Sequence, residues 1–459
     1  MSRKRLSGIV TLAFAAVLLA GAPAGAQILV QCPGDNDGDA MWGKHCSEAP
    51  YGECTNNGNC PGGSNKCIGD ASEVQPANTA CMHLSGGDGF ATMADDAGKT
   101  LYIFSFSDLT GVGDVNGDGD ISDEVMAAGT LAAAWPAPAI ALDQGDEFYL
   151  TLTNVGMLIR PDLFDPHTVH FHGFPNASAV FDGLPESAVS INMGASLTYY
   201  YNLVDPGTFM YHCHVEATEH MQMGMLGNLY VRPIQNRLPD GTNLNGWIHS
   251  NPDAGSVSDD PLVGDKYTYN DGDGSTRYDV EYPIQLGGFD PAFHDASWFV
   301  QPLPFAYMED RYPMLNGRGY PDTANPNPLP SPSDPECGGD CNGGIESQVE
   351  SSLITATAGE KILLRLSNLN ITVTHTLTSP SIPMTVVGID SRELRSADGS
   401  TPLHYDTNSV SLGGGMATDV ILDTTGVAPG TYYLYAANLN YLSNDNEDFG
   451  GMMTEIVIN

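Results

Sequence analysis

The sequence predicts an all-β protein built from two Greek-key β-sandwiches behind a small disulfide-rich segment. The chain has 459 residues, which is too long for one ordinary domain. Glycine (52 residues) and proline (31 residues) are plentiful, long amphipathic helical patterns are hard to find, and alternating strands are bounded by Gly/Pro turns. Two blocks of the chain also repeat one another, which favours two copies of one sandwich fold.

The N-terminus has the pattern of a secretory signal. Basic residues at positions 3–5 precede an apolar run to about residue 20, and small residues at 24–26 offer a cleavage site. We therefore predict a signal peptide over 1–26 and a secreted protein, located in the periplasm, on the cell surface or outside the cell. An uncleaved anchor is the alternative, but the run is short for a membrane span of about 20 residues.

Acidic residues dominate the charge of the chain. The formal net charge is −39, and removal of the three basic residues of segment 1–26 takes it to −42. Nucleic acid and anionic membranes repel such a surface, so neither is expected as a partner. Small cations are attracted to it, although the alternative is that the charge serves solubility alone.

The cysteines number nine, which leaves one unpaired if the others form disulfides. Six lie in the Gly/Asn-rich stretch after the signal, and Cys337 and Cys341 form a C-x3-C pair. In an oxidising compartment these eight can all be bridged, and Cys213 is left over. Sequence does not give the pairing among the six, which are Cys32, Cys46, Cys54, Cys60, Cys67 and Cys81.

The domain organisation follows from composition and from the internal repeat. We predict a Cys-rich segment over 27–85, a first β-domain over 86–233, a polar linker over 234–277 and a second β-domain over 278–459. Four matched stretches in the same order carry the repeat: 145–154 with 359–368, 167–172 with 375–380, 190–199 with 411–420, and 206–214 with 429–437.

The alternation of side chains along a strand divides the histidines around Cys213 into two groups. Successive side chains of a strand point to opposite faces. In "YHCH", Cys213 therefore faces one way, while His212 and His214 face the other. In "HTVHFH", His170 and His172 share a face, and the first histidine of that stretch points away from them.

The first group predicts a copper site. His167 and Cys213 belong to this group, and the loop after Cys213 adds His220 and Met225 to it. Two imidazoles, one thiolate and a weak thioether are the blue-copper ligand set. Zinc is the rival metal because it also accepts Cys/His ligands, but the Met and the strand-plus-loop layout weigh against it.

The two motifs "DPHTVHFHG" (165–173) and "YHCHVEATEHMQMGM" (211–225) together resemble the multicopper oxidases, which are built from cupredoxin domains. The similarity covers about 140–459. It implies two cupredoxin-like domains, with type 1 copper in the first on His167, Cys213, His220 and Met225. It further implies half of a trinuclear type 2/type 3 copper cluster on His170, His172, His212 and His214. Asp182 in "FDGLPE" matches an acid that helps proton delivery in that family.

The resemblance implies an exported copper-dependent oxidoreductase. Its reductant would be a small phenol or a metal ion, oxidised one electron at a time, and the electrons would reduce O2. The alternative is a non-enzymatic blue-copper protein for electron transfer or copper binding. A third possibility is a surface interaction module in which copper is structural.

Two departures from the family are visible. Six residues separate Cys213 from His220 where the oxidases usually have four, which affects loop shape and redox potential. The second block also lacks the other half of the cluster. Either two first domains meet across a two-fold axis in a homo-oligomer, or the four histidines hold a smaller copper site. The residues that replace the expected ligands are Thr378, Pro380, Tyr435, Ala436 and Ala437.

A possible calcium loop lies at 114–125. Asp114, Asn116 and Asp118 fall at the first, third and fifth positions of a calcium-binding loop. The usual bidentate Glu is displaced, because Glu124 comes one place early. Calcium and a simple acidic turn therefore both stay open.

Overall fold

The computed structural model describes residues 27–47, 53–56, 59–60, 66–238, 265–299 and 302–459. The predicted signal peptide and most of the predicted linker lie outside these residues. In the described part of the chain, no helix is both long and apolar enough to span a bilayer.

The first half of the chain forms one β-sandwich. Buried aromatic and aliphatic side chains fill its core, where rings such as Phe171 and Tyr201 stack at 4.0 Å between centroids. Its strands are β1 (His45–Cys46), β2 (Cys67–Ile68), β3 (Thr79–Thr92), β4 (Thr100–Asp108), β5 (Ala137–Asp143), β6 (Glu147–Gly156), β7 (His170–His172), β8 (Ser196–Asn202), β9 (Gly207–His212) and β10 (Leu226–Arg232). One sheet has the order β4-β3-β6-β8 and the other the order β5-β10-β9-β7, while β1 and β2 pair in the Cys-rich segment.

The second half forms another sandwich. Its strands are β11 (Lys266–Tyr267), β12 (Arg277–Tyr278), β13 (Val280–Phe289), β14 (Tyr312–Leu315), β15 (Ser333–Asp334), β16 (Gly339–Asp340), β17 (Ile354–Ala356), β18 (Lys361–Asn368), β19 (His375–Thr378), β20 (Met384–Ile389), β21 (Arg392–Glu393), β22 (Tyr405–Thr407), β23 (Ser409–Leu412), β24 (Met416–Asp423), β25 (Gly430–Ala436) and β26 (Met453–Ile458). The sheet β14-β13-β18-β24-β20-β21, with β22 beside β20, packs on β17-β26-β25-β19-β23. The predicted all-β fold of two cupredoxin-like sandwiches is confirmed.

Helices are short in the described residues and sit between strands. They are α1 (Ser122–Gly129), α2 (Ala217–Met223) and α3 (Pro291–Phe299). Helix α2 begins at Ala217, shortly after β9 ends at His212, and it forms most of the segment that links Cys213 to β10. Gly224, at φ +120°, ends α2 and turns the chain into β10.

The internal repeat is visible as matching hydrogen bonds in the two sandwiches. The Cys213 N–H donates to the Met225 carbonyl at 3.1 Å, and the Ala436 N–H donates to the Met452 carbonyl at 2.9 Å. The Asn154 side-chain amide in β6 likewise donates to the Ile191 carbonyl, and the Asn368 side-chain amide in β18 donates to the Leu412 carbonyl. The second sandwich therefore preserves the backbone frame of the first at the positions around Cys213.

A buried ion-pair network joins the two sandwiches. The Arg365 guanidinium is fully buried, donates to Glu281 at 2.8 Å and lies over the Tyr230 ring at 4.7 Å. Arg232 from β10 reaches the same Glu281 at 2.7 Å. Burial works to raise the pKa of Glu281, but the two guanidinium groups outweigh it and lower this pKa to about 2. The carboxylate therefore stays ionised between the two domains.

Four disulfides are present, and Cys213 is the one free cysteine among the described residues. The sequence left open the pairing of the six N-terminal cysteines. The structure pairs Cys32 with Cys81, Cys46 with Cys60, Cys54 with Cys67, and Cys337 with Cys341.

Candidate metal centre

The structure brings the first predicted group together in a buried pocket. His167 precedes β7, Cys213 follows β9, and His220 lies on α2. The Cys213 Sγ lies 4.0 Å from His167 Nδ1 and 3.2 Å from His220 Nδ1. All three side chains and Met225 are fully buried. Three donor atoms thus converge within 4.8 Å of one another, close enough to share one ion.

The backbone of β3 passes close to the side chains of this pocket at Gly86. A Cβ atom built on Gly86 would lie 2.8 Å from His167 Cδ2 and 3.4 Å from Met225 Cε. Real Cβ contacts essentially never fall below 3.0 Å. Glycine is therefore required at position 86 to leave room for the imidazole. Sequence analysis missed Gly86, because only its distant strand pairing places it here.

The titration behaviour of the pocket fits a metal that needs neutral imidazoles. Burial lowers the pKa of His167 well below its ordinary value and lowers the pKa of His220 to about 4. Burial also raises the pKa of the Cys213 thiol to about 11, against a hydrogen bond from the Thr168 N–H to its sulfur. Metal binding here would release the thiol proton, since the thiolate is the ligand.

The outer nitrogens of the two imidazoles, His167 Nε2 and His220 Nε2, are buried and make no hydrogen bond with any residue that the structure describes. The nearest acid to the second is Asp165, whose Oδ2 lies 3.9 Å away. The donor set of two imidazoles, a thiol and a thioether in a buried pocket is the set that copper takes in blue-copper proteins. The residues present therefore fit copper.

The second predicted group lies on the opposite face of the same strands. His170 is paired with His212 across β7 and β9, and their ring centroids are 5.2 Å apart. His214 lies 5.2 Å from His170, and His172 lies 5.7 Å from His212, measured between ring centroids. The ligand nitrogens of His170, His172 and His212 lie within 4.8 Å of one another. The structure therefore gathers all four histidines on one surface.

Hydrogen bonds orient two of these rings. The His170 Nδ1 lies 2.5 Å from the Asp182 carbonyl oxygen and 3.4 Å from the Asp182 carboxylate. The His212 Nδ1 lies 2.8 Å from the Cys213 carbonyl oxygen. Each Nδ1–H donates to an oxygen, which leaves Nε2 as the metal-facing atom. Burial lowers the pKa of His212 to about 3, so this ring is neutral at pH 7.

Three of the four histidines face a cavity of about 550 Å³, and residues of the second domain line its far side. His172, His212 and His214 line the near wall, while residues 369–374 and 414–415 line the far wall. None of the described lining residues of the far wall carries an imidazole, a thiol or a carboxylate. The second half of a trinuclear cluster is therefore missing from this wall.

The residues predicted to stand in place of the missing histidine ligands lie at the matching positions of the second domain. Thr378 is paired with Tyr435 across β19 and β25, in the register that pairs His170 with His212 in the first domain. The four histidines of the first domain have the donor type that a smaller copper site needs. They do not supply the eight ligands of the family's trinuclear cluster.

The predicted calcium residues lie in an exposed loop before α1. The Asp114 carboxylate accepts the N–H groups of Gly117 and Gly119, and Glu124 folds back to accept that of Asn116. Asn116 and Asp118 lie in the same turn, and calcium there stays a prediction. The acids that the structure brings within 4.8 Å of one another are instead Asp35, Asp37 and Asp39 in the Cys-rich segment.

Comparison with known proteins identifies the class to which this fold and site belong. Two family models described as multicopper oxidase match residues 116–236 and 309–459. The chain belongs to the multicopper oxidase family, whose members use copper.

Individual relatives match shorter stretches. Multicopper oxidase MmcO of Mycobacterium tuberculosis is 31% identical over 96 residues, which is 21% of this chain and 18% of that protein. Laccase abr2 of Aspergillus fumigatus is 33% identical over 105 residues, which is 22% of this chain and 16% of that protein. The matched stretches thus span less than a fifth of these curated relatives.

Solved structures share the fold over most of the chain. The Blue Copper Oxidase from Nitrosomonas europaea aligns with a TM-score of 0.54 at 19% identity, covering 83% of this chain and 86% of that one. Multicopper Oxidase mgLAC aligns with a TM-score of 0.53 at 18% identity, covering 83% of this chain and 86% of that one. At such identities the likeness shows the two-domain cupredoxin fold.

Proposed function

We propose that this protein is an exported, copper-dependent oxidoreductase that takes single electrons from a phenolic or metal-ion reductant and passes them to O2. Type 1 copper would bind His167, Cys213, His220 and Met225, and further copper would bind His170, His172, His212 and His214. Copper supplies one-electron redox chemistry at both places when it is bound.

The position of Cys213 is the observation that carries this proposal. Its sulfur lies in the first pocket, while its two chain neighbours, His212 and His214, present their rings to the second. The covalent path from the thiolate to either imidazole therefore runs through one peptide unit. This connection is what one-electron transfer between the two sites requires.

Other residues have supporting roles in the proposed reaction. Asp165, 3.9 Å from His220 Nε2, is the acid closest to the buried outer edge of the first pocket, where a cationic reductant would be attracted. Asp182 holds the His170 ring through its carbonyl and places a carboxylate 3.4 Å from it, from which a proton could be delivered. The acidic surface favours metal-ion reductants over anionic ones.

Two substitutions test the proposal on copper-loaded protein. Cys213→Ser should remove the intense thiolate absorption and the O2 uptake together. His170→Ala should keep that absorption and abolish O2 uptake. Persistence of the colour in the first variant, or of O2 uptake in the second, would contradict the assigned roles.

One observation favours a second function. Because the described residues of the far wall carry no imidazole, thiol or carboxylate, the four histidines could hold a single copper in a blue-copper protein that carries electrons or copper without catalysis. Copper analysis combined with oligomer mass separates the candidates. Two chains that share one trinuclear cluster would hold about 2.5 copper ions per chain, whereas an electron carrier would hold fewer and take up no O2.

A further inference from the structure

Three carboxylates of the Cys-rich segment converge at a place remote in sequence from the copper ligands. Asp35, Asp37 and Asp39 each offer one oxygen, and these oxygens lie within 4.8 Å of one another. In the stretch "DNDGDA" (35–40) the three acids take the first, third and fifth positions of a calcium-binding loop. Because acidic turns often share this spacing, the surroundings of the carboxylates decide whether an ion fits.

The Asp39 side chain is buried, and one of its oxygens lacks a donor. This side chain is 1% exposed, and its Oδ2 accepts no hydrogen bond from any residue that the structure describes. His45 Nε2 lies 3.2 Å from it, but the hydrogen bond of this nitrogen is directed at the Gly111 carbonyl oxygen, 3.1 Å away. The buried Oδ1 of Asp37 likewise accepts no hydrogen bond within the described part of the chain. Buried ionised oxygens are costly in this state unless a cation reaches them.

A fourth carboxylate adds to the negative charge. The two Glu73 oxygens accept the N–H groups of Asn36 at 2.6 Å and Gly43 at 3.1 Å, which places this side chain beside the loop. Among the described residues, no lysine or arginine forms an ion pair with the three aspartates. Even if His45 is protonated, four ionised carboxylates and one imidazolium leave a net charge of −3. A divalent cation is therefore the counter-charge that the group lacks.

The donor atoms favour calcium over the other divalent cations. The three aspartates and Glu73 offer only oxygens, whereas copper prefers the nitrogen and sulfur donors of the two pockets described above. Calcium accepts six to eight oxygens in a flexible arrangement, while magnesium requires a near-ideal octahedron and dehydrates reluctantly. The disulfides of Cys32 and Cys46 hold the two ends of the loop, so its carboxylates are kept near one another before an ion binds.

We propose that the three aspartates and Glu73 form a calcium site that holds the Cys-rich segment against the first sandwich. Asp39 is the link between the two parts. The Gly111 N–H, just after β4, donates to the Asp39 carbonyl at 2.7 Å, and a Cβ atom on Gly113 would lie 3.2 Å from the Asp39 Cβ. Calcium at this place stabilises the contact between the segment and the loop after β4. The proposal does not depend on copper or on the proposed function.

The exposed loop at 114–118 is a different feature. Both oxygens of Asp114 accept N–H groups of their own turn, from Gly117 and Gly119, and the Asp118 side chain accepts the N–H of Asp120. These acids therefore already have donors. They provide a control pair whose substitution removes the same amount of charge.

Calcium titration of the copper-free, full-length protein tests the site. We expect calcium to bind the wild type with a Kd below about 1 mM and to raise the Tm by about 2 °C or more at about 10 mM calcium. The double variant Asp37→Asn/Asp39→Asn should lose at least about tenfold in affinity and lose the Tm shift. The control Asp114→Asn/Asp118→Asn should keep the same binding event. Without calcium, the first variant should be at least as stable as the wild type, because it relieves repulsion; a merely structural role predicts the opposite.

Terbium luminescence gives a second readout that locates the ion. Tb³⁺ accepts the same oxygen donors as calcium, and a nearby tryptophan sensitises its emission. Trp42 follows Asp39 by three residues, and its indole N–H donates to the Pro33 carbonyl at 2.9 Å, just before the loop. Emission excited through tryptophan should be displaced by calcium and should be largely lost in Trp42→Phe, while that variant keeps the calcium affinity of the wild type. This measurement leaves all four carboxylates in place, so it tests the site even when the aspartate variants fail to fold.

The opposite results would overturn the proposal. They are no calcium binding by the wild type at about 10 mM, equal affinity in wild type and Asp37→Asn/Asp39→Asn, a loss confined to Asp114→Asn/Asp118→Asn, or sensitised terbium emission that survives in Trp42→Phe. Equal affinity for magnesium and calcium would overturn the choice of calcium.

Discussion

His170 lies directly opposite His212 across two antiparallel strands, with ring centroids 5.2 Å apart. Cys213 follows the second of these histidines and points to the other face, where its sulfur meets His220 Nδ1 at 3.2 Å. One strand end thus serves two pockets.

Gly86→Ala should disturb the first pocket. The added methyl group would lie 2.8 Å from His167 Cδ2, so the imidazole must move away from Cys213. We expect a weaker and shifted blue absorption after copper loading, measured by visible spectroscopy, with weaker copper binding. Gly413→Ala is the control, because its Cβ would meet nothing closer than 3.6 Å. An unchanged spectrum in Gly86→Ala would show that the pocket has more room than the geometry indicates.

Ala436→Cys should not create a second blue site, although Ala436 occupies the place of Cys213. Tyr441 stands beside His375, at 4.8 Å between ring centroids, where His220 stands beside His167 in the first domain. One imidazole is therefore missing. Copper loading of the variant in the Cys213→Ser background should give no intense thiolate band. A blue product would mean that the second domain still supplies enough ligands.

Glu281→Gln should destabilise the fold strongly, because it leaves the buried Arg365 and its neighbour Arg232 without their shared carboxylate. Breaking a buried ion pair costs about 3–5 kcal/mol. Urea unfolding should show this loss in the free energy of unfolding. Lys361→Gln breaks a partly exposed pair with Asp423 at 3.9 Å and should cost less than about 1 kcal/mol. Similar losses in the two variants would contradict the assignment of a buried network.

The same carboxylate makes stability depend on pH in the acid range. The pKa of Glu281 is lowered from 4.5 to about 2 in the folded protein. Its contribution is therefore fully present above pH 4.5 and is lost as pH falls through about 2. The difference in free energy of unfolding between wild type and Glu281→Gln should shrink over that interval. A difference that stays constant down to pH 2 would show that the carboxylate is not held ionised by the fold.

Local patterns were enough to predict much of this site. The alternation of side chains along a strand separates Cys213 from His212 and His214 without knowledge of the fold. The internal repeat likewise predicts that Thr378 replaces His170, and the strand pairing places it there. These inferences depend on neighbours in sequence or on matched stretches.

Features that depend on distant contacts could not be predicted. Gly86 touches His167 only because β3 pairs with β6, far along the chain. The pairing of Cys32 with Cys81 requires the path of the Cys-rich segment. Thr372, on the far wall of the histidine cavity, donates a hydrogen bond to Asp310, 62 residues earlier in the chain. No periodicity or motif marks any of these positions.

The solitary thiol has a consequence for how the molecule matures. Eight of its cysteines must meet an oxidant to form bridges, while the ninth, Cys213, must not. Burial distinguishes Cys213 from the other eight. Its sulfur is completely shielded from water, and burial raises the pKa of its thiol to about 11, which suppresses the reactive thiolate. A closed sandwich around residue 213 therefore protects this thiol from mispairing with the cysteines of the amino-terminal segment.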